Sequence, residues 1–220
     1  MLSGSAYSAS ITFTGIQNLT AGGGPDYFLF DDGASIDGNI TGSNGDTLDY
    51  TPYTTSVVVD LQTGSATGVG GSVSGIRNVT GASGAAGSGA YNLLIGNGRN
   101  TLNGGTGRRN LLVAGGSAST LNAGDGEDLL IGGFTMYDTD PALTSWLQIA
   151  AYWAGPDDYF HRVGHLTSGN GVPLLDATTV TGNGGGNTMN GNGALALIYT
   201  DGLDNIGNFD PNSQTVAITP

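Results

Sequence analysis

The sequence predicts an all-β protein, a parallel β-solenoid (a β-roll or β-helix) with one short helical insertion. Two observations support this expectation: short apolar runs recur at fixed intervals, and the composition favours turns over helices. The 220 residues include 41 Gly, 18 acidic residues and 5 basic residues, and every acid except Glu127 is Asp. Asp, Asn and Gly favour turns whereas Glu, Lys and Arg favour helix surfaces, so an ordinary helical enzyme is not expected.

Repeated segments set the predicted architecture. The motifs NLLI, NLLV and DLLI begin at Asn92, Asn110 and Asp128, at intervals of 18 residues. A second motif, TLN, begins at Thr101 and again at Thr120. A short strand, a Gly-rich turn, a second strand and a second turn therefore make one coil of about 18 residues.

The repeated leucines predict two inner faces of the coils. Leu93 and its equivalents are expected along one face, and Leu102, Leu121 and Met189 along the other. Because a single coil leaves its apolar face bare, several coils must stack to close a core. Stacked parallel strands lie about 4.8 Å apart, so the chain is expected to form a short rod.

Three regions are predicted along the chain. Repeat coils are expected in residues 1–133, a helical insertion in 134–170, and terminal coils with a cap in 171–220.

Within the insertion, apolar residues at helical spacing predict a first helix packed on the coils. These apolar residues are Leu143, Trp146, Leu147, Ala150 and Trp153. Asp138 or Asp140 is expected to cap this helix, with Pro141 in its first turn. The segment Asp157–Leu166 is a second, shorter helical candidate.

The charge balance excludes several classes of partner. The formal net charge is −13 and no basic patch is visible, so nucleic acid and anionic membrane surfaces are not expected as partners. No apolar run approaches the roughly 18 residues of a membrane span. The sequence contains no Cys, which excludes disulfides and thiolate metal sites.

Several short segments carry a resemblance to a known family. AGGGPD ends at Asp26 and AGDGED ends at Asp128, and both are similar to the RTX, or haemolysin-type, repeat GGxGxDxUx. DLLIGG, a helical insert with Trp146, RVGHL from Arg162 and LDATTV from Leu175 follow one another. This order resembles the repeat-rich C-terminal regions of large bacterial surface proteins. The resemblance covers roughly residues 13–210 and implies a calcium-binding repeat architecture, with little indication of activity.

The RTX resemblance implies Ca²⁺ between coils, where Asp carboxylates and turn carbonyls supply about six to eight oxygens. The implied ligands are Asp26, Asp31, Asp125, Asp128, Asp201 and Asp204. Most other turns carry Asn, Ser, Arg or Leu at the Asp position, so a complete ladder of ions is not encoded. In the alternative explanation, stacked Asn side chains such as Asn103 and Asn122 replace the ion with amide hydrogen bonds. Arg108 is expected to pair with Asp125 or Glu127 on an adjacent coil.

Other candidate sites are weaker. Asp157, His161 and His165 are spaced four residues apart, which allows either a Zn²⁺ site or a solvated helix face. Adjacent carboxylates such as Asp31 and Asp32 point to opposite faces of a strand, so they do not form an acid–base pair. No catalytic residue is assigned and no enzymatic activity is expected.

Three asparagines, Asn18, Asn39 and Asn78, lie in N-glycosylation sequons. Asn18 and Asn78 also belong to a segment that recurs after 60 residues, so a structural role is the alternative to attached glycans.

Together these features predict a non-enzymatic structural module, extracellular or at the cell surface, that Ca²⁺ stabilises if the implied sites are occupied. Because the ends of stacked coils expose unpaired strand edges, subunits are expected to join end to end into fibres. Leu2–Phe13 and Val216–Ile218 are the expected end strands. The alternative function is a module that binds, or less readily cleaves, a polysaccharide along its flat face through Tyr50, Tyr53 or Tyr91.

Overall fold

A computed structural model describes residues 16–85 and 87–220, and they form seventeen strands and two helices. In chain order the strands are β1 (Leu19–Thr20), β2 (Tyr27–Leu29), β3 (Ile40–Asp49), β4 (Val57–Asp60), β5 (Ser65–Ala66), β6 (Val73–Thr80), β7 (Tyr91–Ile95), β8 (Thr101–Asn103), β9 (Arg109–Val113), β10 (Thr120–Asn122), β11 (Asp128–Ile131), β12 (Gly133–Thr135), β13 (Val180–Gly182), β14 (Thr188–Asn190), β15 (Ala196–Thr200), β16 (Asn205–Gly207) and β17 (Gln214–Ala217). The helices are α1 (Thr144–Trp153) and α2 (Tyr159–Ser168). The predicted end strand Leu2–Phe13 lies outside the described residues.

Eight strands form what we call the outer sheet, in the order β1-β3-β6-β8-β10-β14-β16, with β2 also paired to β3. Every pairing in it is parallel. The register places Leu102, Leu121 and Met189 side by side, and all three are fully buried. The predicted shared inner face of these three residues is therefore confirmed.

Seven strands form the middle sheet, in the order β17-β15-β11-β9-β7-β4-β5. The two-residue strand β5 runs antiparallel to β4, and the other pairings are parallel. Leu93, Leu111 and Leu129 lie side by side, so the interval of 18 residues in the sequence is the pairing register of this sheet.

From β6 to β11 the chain passes alternately between the two sheets, and it does so again from β14 to β17. The turns that connect the two sheets are rich in glycine, because successive turns lie so close together that some positions have no room for a side chain. Gly115 has φ +75°, and a Cβ added to it would lie 2.1 Å from the carbonyl oxygen of Gly96 in the adjacent turn. Only glycine fits such a contact.

The first hydrophobic core lies between the two sheets. The outer sheet contributes Leu102, Leu121 and Met189, and the middle sheet contributes Leu94 and Leu112. All of these side chains are fully buried. Because the side chains of a strand alternate between faces, the neighbouring leucines of the middle sheet point away from this core.

A second core lies on the other face of the middle sheet, where α1 and α2 pack. Leu93 and Leu111 from the sheet meet Trp146, Trp153 and other apolar residues of the helices there. The predicted position of Leu93 on the inner face shared by the coils is therefore wrong, because Leu94 occupies that face instead. The doublet Leu-Leu buries one residue in each core.

The predicted fold class, an all-β parallel β-solenoid with one short helical insertion, is also wrong. The described residues build one wholly parallel sheet, one mixed sheet, a two-stranded antiparallel sheet of β12 and β13, and a layer of two helices, and this arrangement resembles an α/β fold. The physical reason is visible in the motifs NLLI, NLLV and DLLI. A strand that is apolar at consecutive positions is covered on both faces, and in this protein the helices supply the second cover.

The two helices lie within the predicted insertion, residues 134–170. α1 begins at Thr144 and its N-cap residue is Leu143, so the prediction that Pro141 lies in its first turn is wrong. The Asp158 carboxylate caps α2 by accepting a hydrogen bond from the backbone N–H of His161. The Asp140 carboxylate accepts from the N–H groups of Ala142 and Thr144 at the start of α1. Side-chain oxygens at these positions satisfy N–H groups that have no partner inside the helix.

Candidate functional site

Asp128 lies at the end of a buried ladder of polar side chains, at the start of the middle-sheet strands. The side-chain amide of Asn92 donates to Oδ1 of Asn110 at 2.8 Å, and that of Asn110 donates to Oδ1 of Asp128 at 2.9 Å. The backbone N–H of Asn110 also donates to Oδ1 of Asp128, at 2.7 Å. All three residues are fully buried. The three motifs that recur every 18 residues therefore place their first residues in one hydrogen-bonded column.

The second oxygen of Asp128, Oδ2, is buried and has no hydrogen-bond partner among the described residues. Burial raises the pKa of this carboxyl well above its ordinary value, and the nearby charges of Asp125 and Glu127 raise it further. The hydrogen bonds from Asn110 lower it, but less than burial raises it. The site therefore disfavours the ionised carboxylate.

A second ladder of hydrogen-bonded polar side chains lies where the outer-sheet strands begin. Side-chain oxygens accept from backbone N–H groups of the preceding row of strands: the N–H of Asn100 donates to the Ser119 hydroxyl, that of Ser119 to the Asn187 amide oxygen, and that of Asn187 to the Asp204 carboxylate. The donor–acceptor distances are 3.2, 2.9 and 2.7 Å. The side-chain amide of Asn187 also donates to Oδ1 of Asp204, while Oδ2 of Asp204 is buried without a partner in the described part of the chain.

The remaining predicted calcium ligands are dispersed. Asp26 accepts from the N–H of Gly22 at 2.8 Å, and Asp31 is exposed.

Asp125 and Asp201 are likewise held by turns of the chain. Asp125 accepts from the N–H of Gly107 in the adjacent turn, and Asp201 accepts from the N–H groups of Gly184 and Leu203.

Oδ1 of Asp128 and Oδ1 of Asp204 already accept hydrogen bonds from Asn110 and Asn187, whereas Oδ2 of each has no partner among the described residues. Ca²⁺ is bound by about six to eight oxygens, so these two carboxylates alone do not complete a site. Within residues 16–85 and 87–220, no group of three or more His, Cys, Asp or Glu side chains is placed to hold a metal ion. The amide hydrogen bonds match the alternative in which Asn takes the place of the ion. Calcium binding stays a prediction.

Asn103 and Asn122, which were predicted to stack, do so on the exposed face of the outer sheet. The amide of Asn122 donates to Oδ1 of Asn103 at 2.7 Å, and Asn190 donates to Asn122 at 2.8 Å. This part of the sequence interpretation is confirmed.

The predicted pairing of Arg108 with Asp125 or Glu127 is wrong. Arg108 is buried and donates to backbone carbonyls, among them those of Tyr53 at 2.8 Å and Ser83 at 3.2 Å. Burial lowers the pKa of its guanidinium. Arg108 therefore joins three loops instead of making a surface ion pair.

The only Glu of the chain holds the helix layer to the middle sheet. Glu127 forms ion pairs with Arg109, at 2.9 Å, and with Arg162 of α2. The side chain of Arg162 is fully buried and its guanidinium carbon lies 5.1 Å from the ring centre of Trp153 in α1. The sequence does not predict this cluster, although the single Glu beside the repeat motif DLLI is a signal for it.

The residues of the alternative Zn²⁺ site have separate partners. His161 pairs with Asp158, and the ring of His165 stacks on Tyr152 at 5.5 Å. The Asp157 carboxylate accepts from the hydroxyl of Tyr152. The arrangement matches the solvated helix face that competed with the zinc site.

The tyrosines proposed as a polysaccharide platform are not on a free surface. Tyr50 and Tyr53 are buried in the first core, and burial raises the pKa of both hydroxyls. Tyr91 is half-buried against the second core. A binding face must therefore lie elsewhere.

The sequon asparagines take part in hydrogen bonds between rows. Oδ1 of Asn18 accepts from the backbone N–H of Asn39, and Oδ1 of Asn39 accepts from that of Ser72, both at 2.8 Å. The amide of Asn78 donates to the carbonyl of Gly45 at 3.0 Å. These contacts match the structural role that was the alternative to glycans.

A shallow groove of about 240 Å³ lies on the outer sheet and was not foreseen from the sequence. Arg77 and Arg99 line it together with Thr101, Thr120 and Thr188. Both arginines are exposed, whereas the threonines are half-buried. The spacing of the TLN motif indicates where the threonines lie, but nothing in the sequence indicates that the two arginines are close to each other.

The C-terminal end of both sheets is open. β16 and β17 are the last strands, and in the described residues each pairs along one edge only. Ile206 continues the inward-facing column of Leu121 and Met189, but 36% of its surface is exposed because no further row covers it. Leu203, in the turn before β16, is 61% exposed.

In the described ranges, neither helix is long and apolar enough to cross a membrane. Comparison of the chain with protein-family models, with curated proteins and with solved structures finds no match.

Proposed function

We propose that the protein is a non-enzymatic structural module, extracellular or at the cell surface, that associates end to end through its C-terminal strands. The observation that carries the proposal is the exposure of Ile206 at the end of a column whose preceding members, Leu102, Leu121 and Met189, are fully buried. A further row of strands would bury Ile206 as each row buries the one before it.

The partner that fits this end is a second copy of the chain. Among the described residues, the opposite end of the outer sheet is formed by β1 and β2, which pair with β3 in parallel, and Tyr27 and Leu29 of β2 are exposed. A parallel row added to β16 would continue the same register of backbone hydrogen bonds. Because the two ends are different surfaces, each contact leaves one end free, and the assembly grows as a filament.

Polar ladders support the same proposal. The column of Asn103, Asn122 and Asn190 ends at Gly207, and the column of Asn100, Ser119 and Asn187 ends at Asp204. Stacked amide side chains form hydrogen bonds with their neighbours in the column, so each added row contributes further hydrogen bonds. Such columns stabilise a rod but hold no arrangement of acid, base and nucleophile for catalysis.

The experiment measures the mass of the 220-residue chain by light scattering and sedimentation over a range of concentrations. We expect mass to rise with concentration and filaments to appear by electron microscopy. The variants Ile206→Lys and Leu203→Lys place a charge at the open end and should be monomeric, because lysine blocks edge-to-edge contact.

Met136→Lys is the matched control, since Met136 is 64% exposed and directly follows β12, outside the end strands β16 and β17. It should assemble like the unaltered chain. A strict monomer at every concentration, or equal assembly by the Ile206→Lys variant, would overturn the proposal. Release of reducing ends from polysaccharides would contradict its non-enzymatic part.

A further inference from the structure

Arg77 and Arg99 stand apart from the other basic residues of the chain. In the part of the chain that the structure describes, neither guanidinium makes a hydrogen bond or an ion pair. Arg108 is bound to carbonyls, and Arg109 and Arg162 are bound to Glu127 and carbonyls. With 18 acidic residues available, two cations that share one groove without an acid are free to bind an external anion.

The floor of this groove offers a row of free hydroxyls. Thr101, Thr120 and Thr188 are aligned in the parallel register of β8, β10 and β14. No hydrogen bond to their hydroxyls is formed by residues 16–85 or 87–220. Neighbouring strands lie about 4.8 Å apart, so one hydroxyl recurs at an interval close to the length of one sugar ring.

The backbone of Arg99 gives an independent indication. Arg99 has φ 60°, in the left-handed region that favours glycine, and Gly186 has φ 64° where it precedes the equivalent pair Asn187-Thr188. A side chain held in this conformation is strained, and strained residues concentrate at functional sites. The position keeps an arginine where glycine would fit the backbone better.

The geometry points to a binding site for an acidic polysaccharide of the uronate class, lying along the threonine row with its carboxylates on Arg77 and Arg99. A guanidinium binds a carboxylate through two parallel hydrogen bonds, which gives both affinity and orientation. The threonine hydroxyls donate to and accept from sugar hydroxyls. The net charge of −13 opposes a polyanion only weakly at physiological salt, because charges more than about 8 Å away are screened.

The test titrates the chain with tetragalacturonate and with the same oligosaccharide after reduction of its carboxyl groups. Binding is measured by calorimetry and by the Nε–Hε resonances of the five arginines. Two resonances should shift with the acidic probe. Arg77→Gln should weaken binding about tenfold, the loss of one charge-assisted contact.

Arg99→Gly separates binding from folding. Glycine suits the backbone at φ 60°, so this variant should keep the melting temperature of the unaltered chain and still lose about tenfold in affinity. Gln148→Glu on the exposed side of α1 is the control, because it lowers the net charge by one as Arg77→Gln does. It should leave binding unchanged.

Three results would each overturn the inference. They are equal binding of the carboxyl-reduced probe, an unchanged affinity in the Arg77→Gln and Arg99→Gly variants, and the absence of binding at millimolar probe. If inorganic sulfate at the same concentration shifts the same arginine resonances, the groove binds anions in general. That result would overturn the polysaccharide assignment. The Ile206→Lys variant should bind as the unaltered chain does, which keeps this test independent of end-to-end association.

Discussion

The backbone N–H and the side-chain amide of Asn110 both donate to Oδ1 of Asp128, at 2.7 and 2.9 Å. The other carboxylate oxygen of Asp128 is buried and has no partner among the described residues. Asn92 and Asn110 fill the equivalent positions of the two preceding rows with neutral amides. Asp128 is thus the titratable member of a column whose two preceding members are neutral amides.

We expect Asp128→Asn to stabilise the protein by about 1–3 kcal/mol near neutral pH, because a neutral amide avoids the cost of burying an ionised carboxylate. The amide oxygen of the new Asn would keep both hydrogen bonds from Asn110, and the charge would be removed. Denaturant unfolding of the two proteins measures the difference.

The control is Asp31→Asn, an exposed position that makes the same change in net charge. Surface substitutions of this kind usually change stability by less than about 0.5 kcal/mol. A loss of stability in the Asp128→Asn variant would show that the carboxylate is needed, as it would be for an ion ligand.

The pH dependence of the same pair of proteins gives a second prediction. Burial raises the pKa of Asp128 in the folded state above the unfolded value of about 3.9. Between these two pKa values the folded state binds more protons than the unfolded state, so stability falls as the pH rises. The unaltered protein should therefore lose stability relative to Asp128→Asn as the pH rises above about 4. A difference that stays constant from acidic to neutral pH would contradict this explanation.

Much of the strand pairing could be predicted from the sequence, because backbone register follows repeat spacing. The interval of 18 residues between Asn92, Asn110 and Asp128 is the register of the middle sheet. The fold class was predicted wrongly because the meaning of consecutive leucines was missed. Alternation along a strand puts Leu93 and Leu94 on opposite faces, so two apolar neighbours require a cover on each side.

The site was less predictable than the strands. The position of Asp128 in a buried column follows from the repeat, but its environment depends on amides contributed from the preceding row. The groove joins Arg77 and Arg99, whose proximity depends on the register between β6 and β8. Local sequence patterns cannot set such a distance.

Leu111 and Leu112 of β9 test the two-core arrangement directly. Both are fully buried, Leu111 against the helices and Leu112 between the sheets. Leu111→Ala and Leu112→Ala should each cost about 2–5 kcal/mol of stability, since each leaves a cavity. Hydrogen exchange should report local loosening of α1 in the first variant only. A near-neutral effect of Leu111→Ala would support a single core in place of two.

Removal of the charge on Glu127 should loosen the helix layer. Glu127→Gln leaves the fully buried side chain of Arg162 without its ion-pair partner. Leaving one charge of a buried pair uncompensated costs about 3 kcal/mol. Amide hydrogen exchange in α1 and α2 should accelerate, while the outer sheet keeps its protection.

Asp31→Asn is the control for the Glu127 variant, because Asp31 is exposed and follows β2 of the outer sheet, whereas the helices pack on the middle sheet. It should leave exchange in both helices unchanged. Uniform acceleration across both sheets in the Glu127→Gln variant would mean that the ion pairs stabilise the whole chain and not the helix layer alone.

Calcium binding is tested by comparing chelator-treated protein with protein in excess Ca²⁺, using circular dichroism and the melting temperature. Hydrogen bonds from Asn110 to Oδ1 of Asp128, and from Asn187 to Oδ1 of Asp204, join adjacent rows without an ion, so we expect the chelated chain to keep its β structure and its melting temperature. A ligand that binds only the folded state stabilises it in proportion to the logarithm of its concentration. A rise of the melting temperature with Ca²⁺ that Asp204→Asn abolishes would therefore show that the calcium interpretation is right, and that the amide ladder describes only the ion-free state.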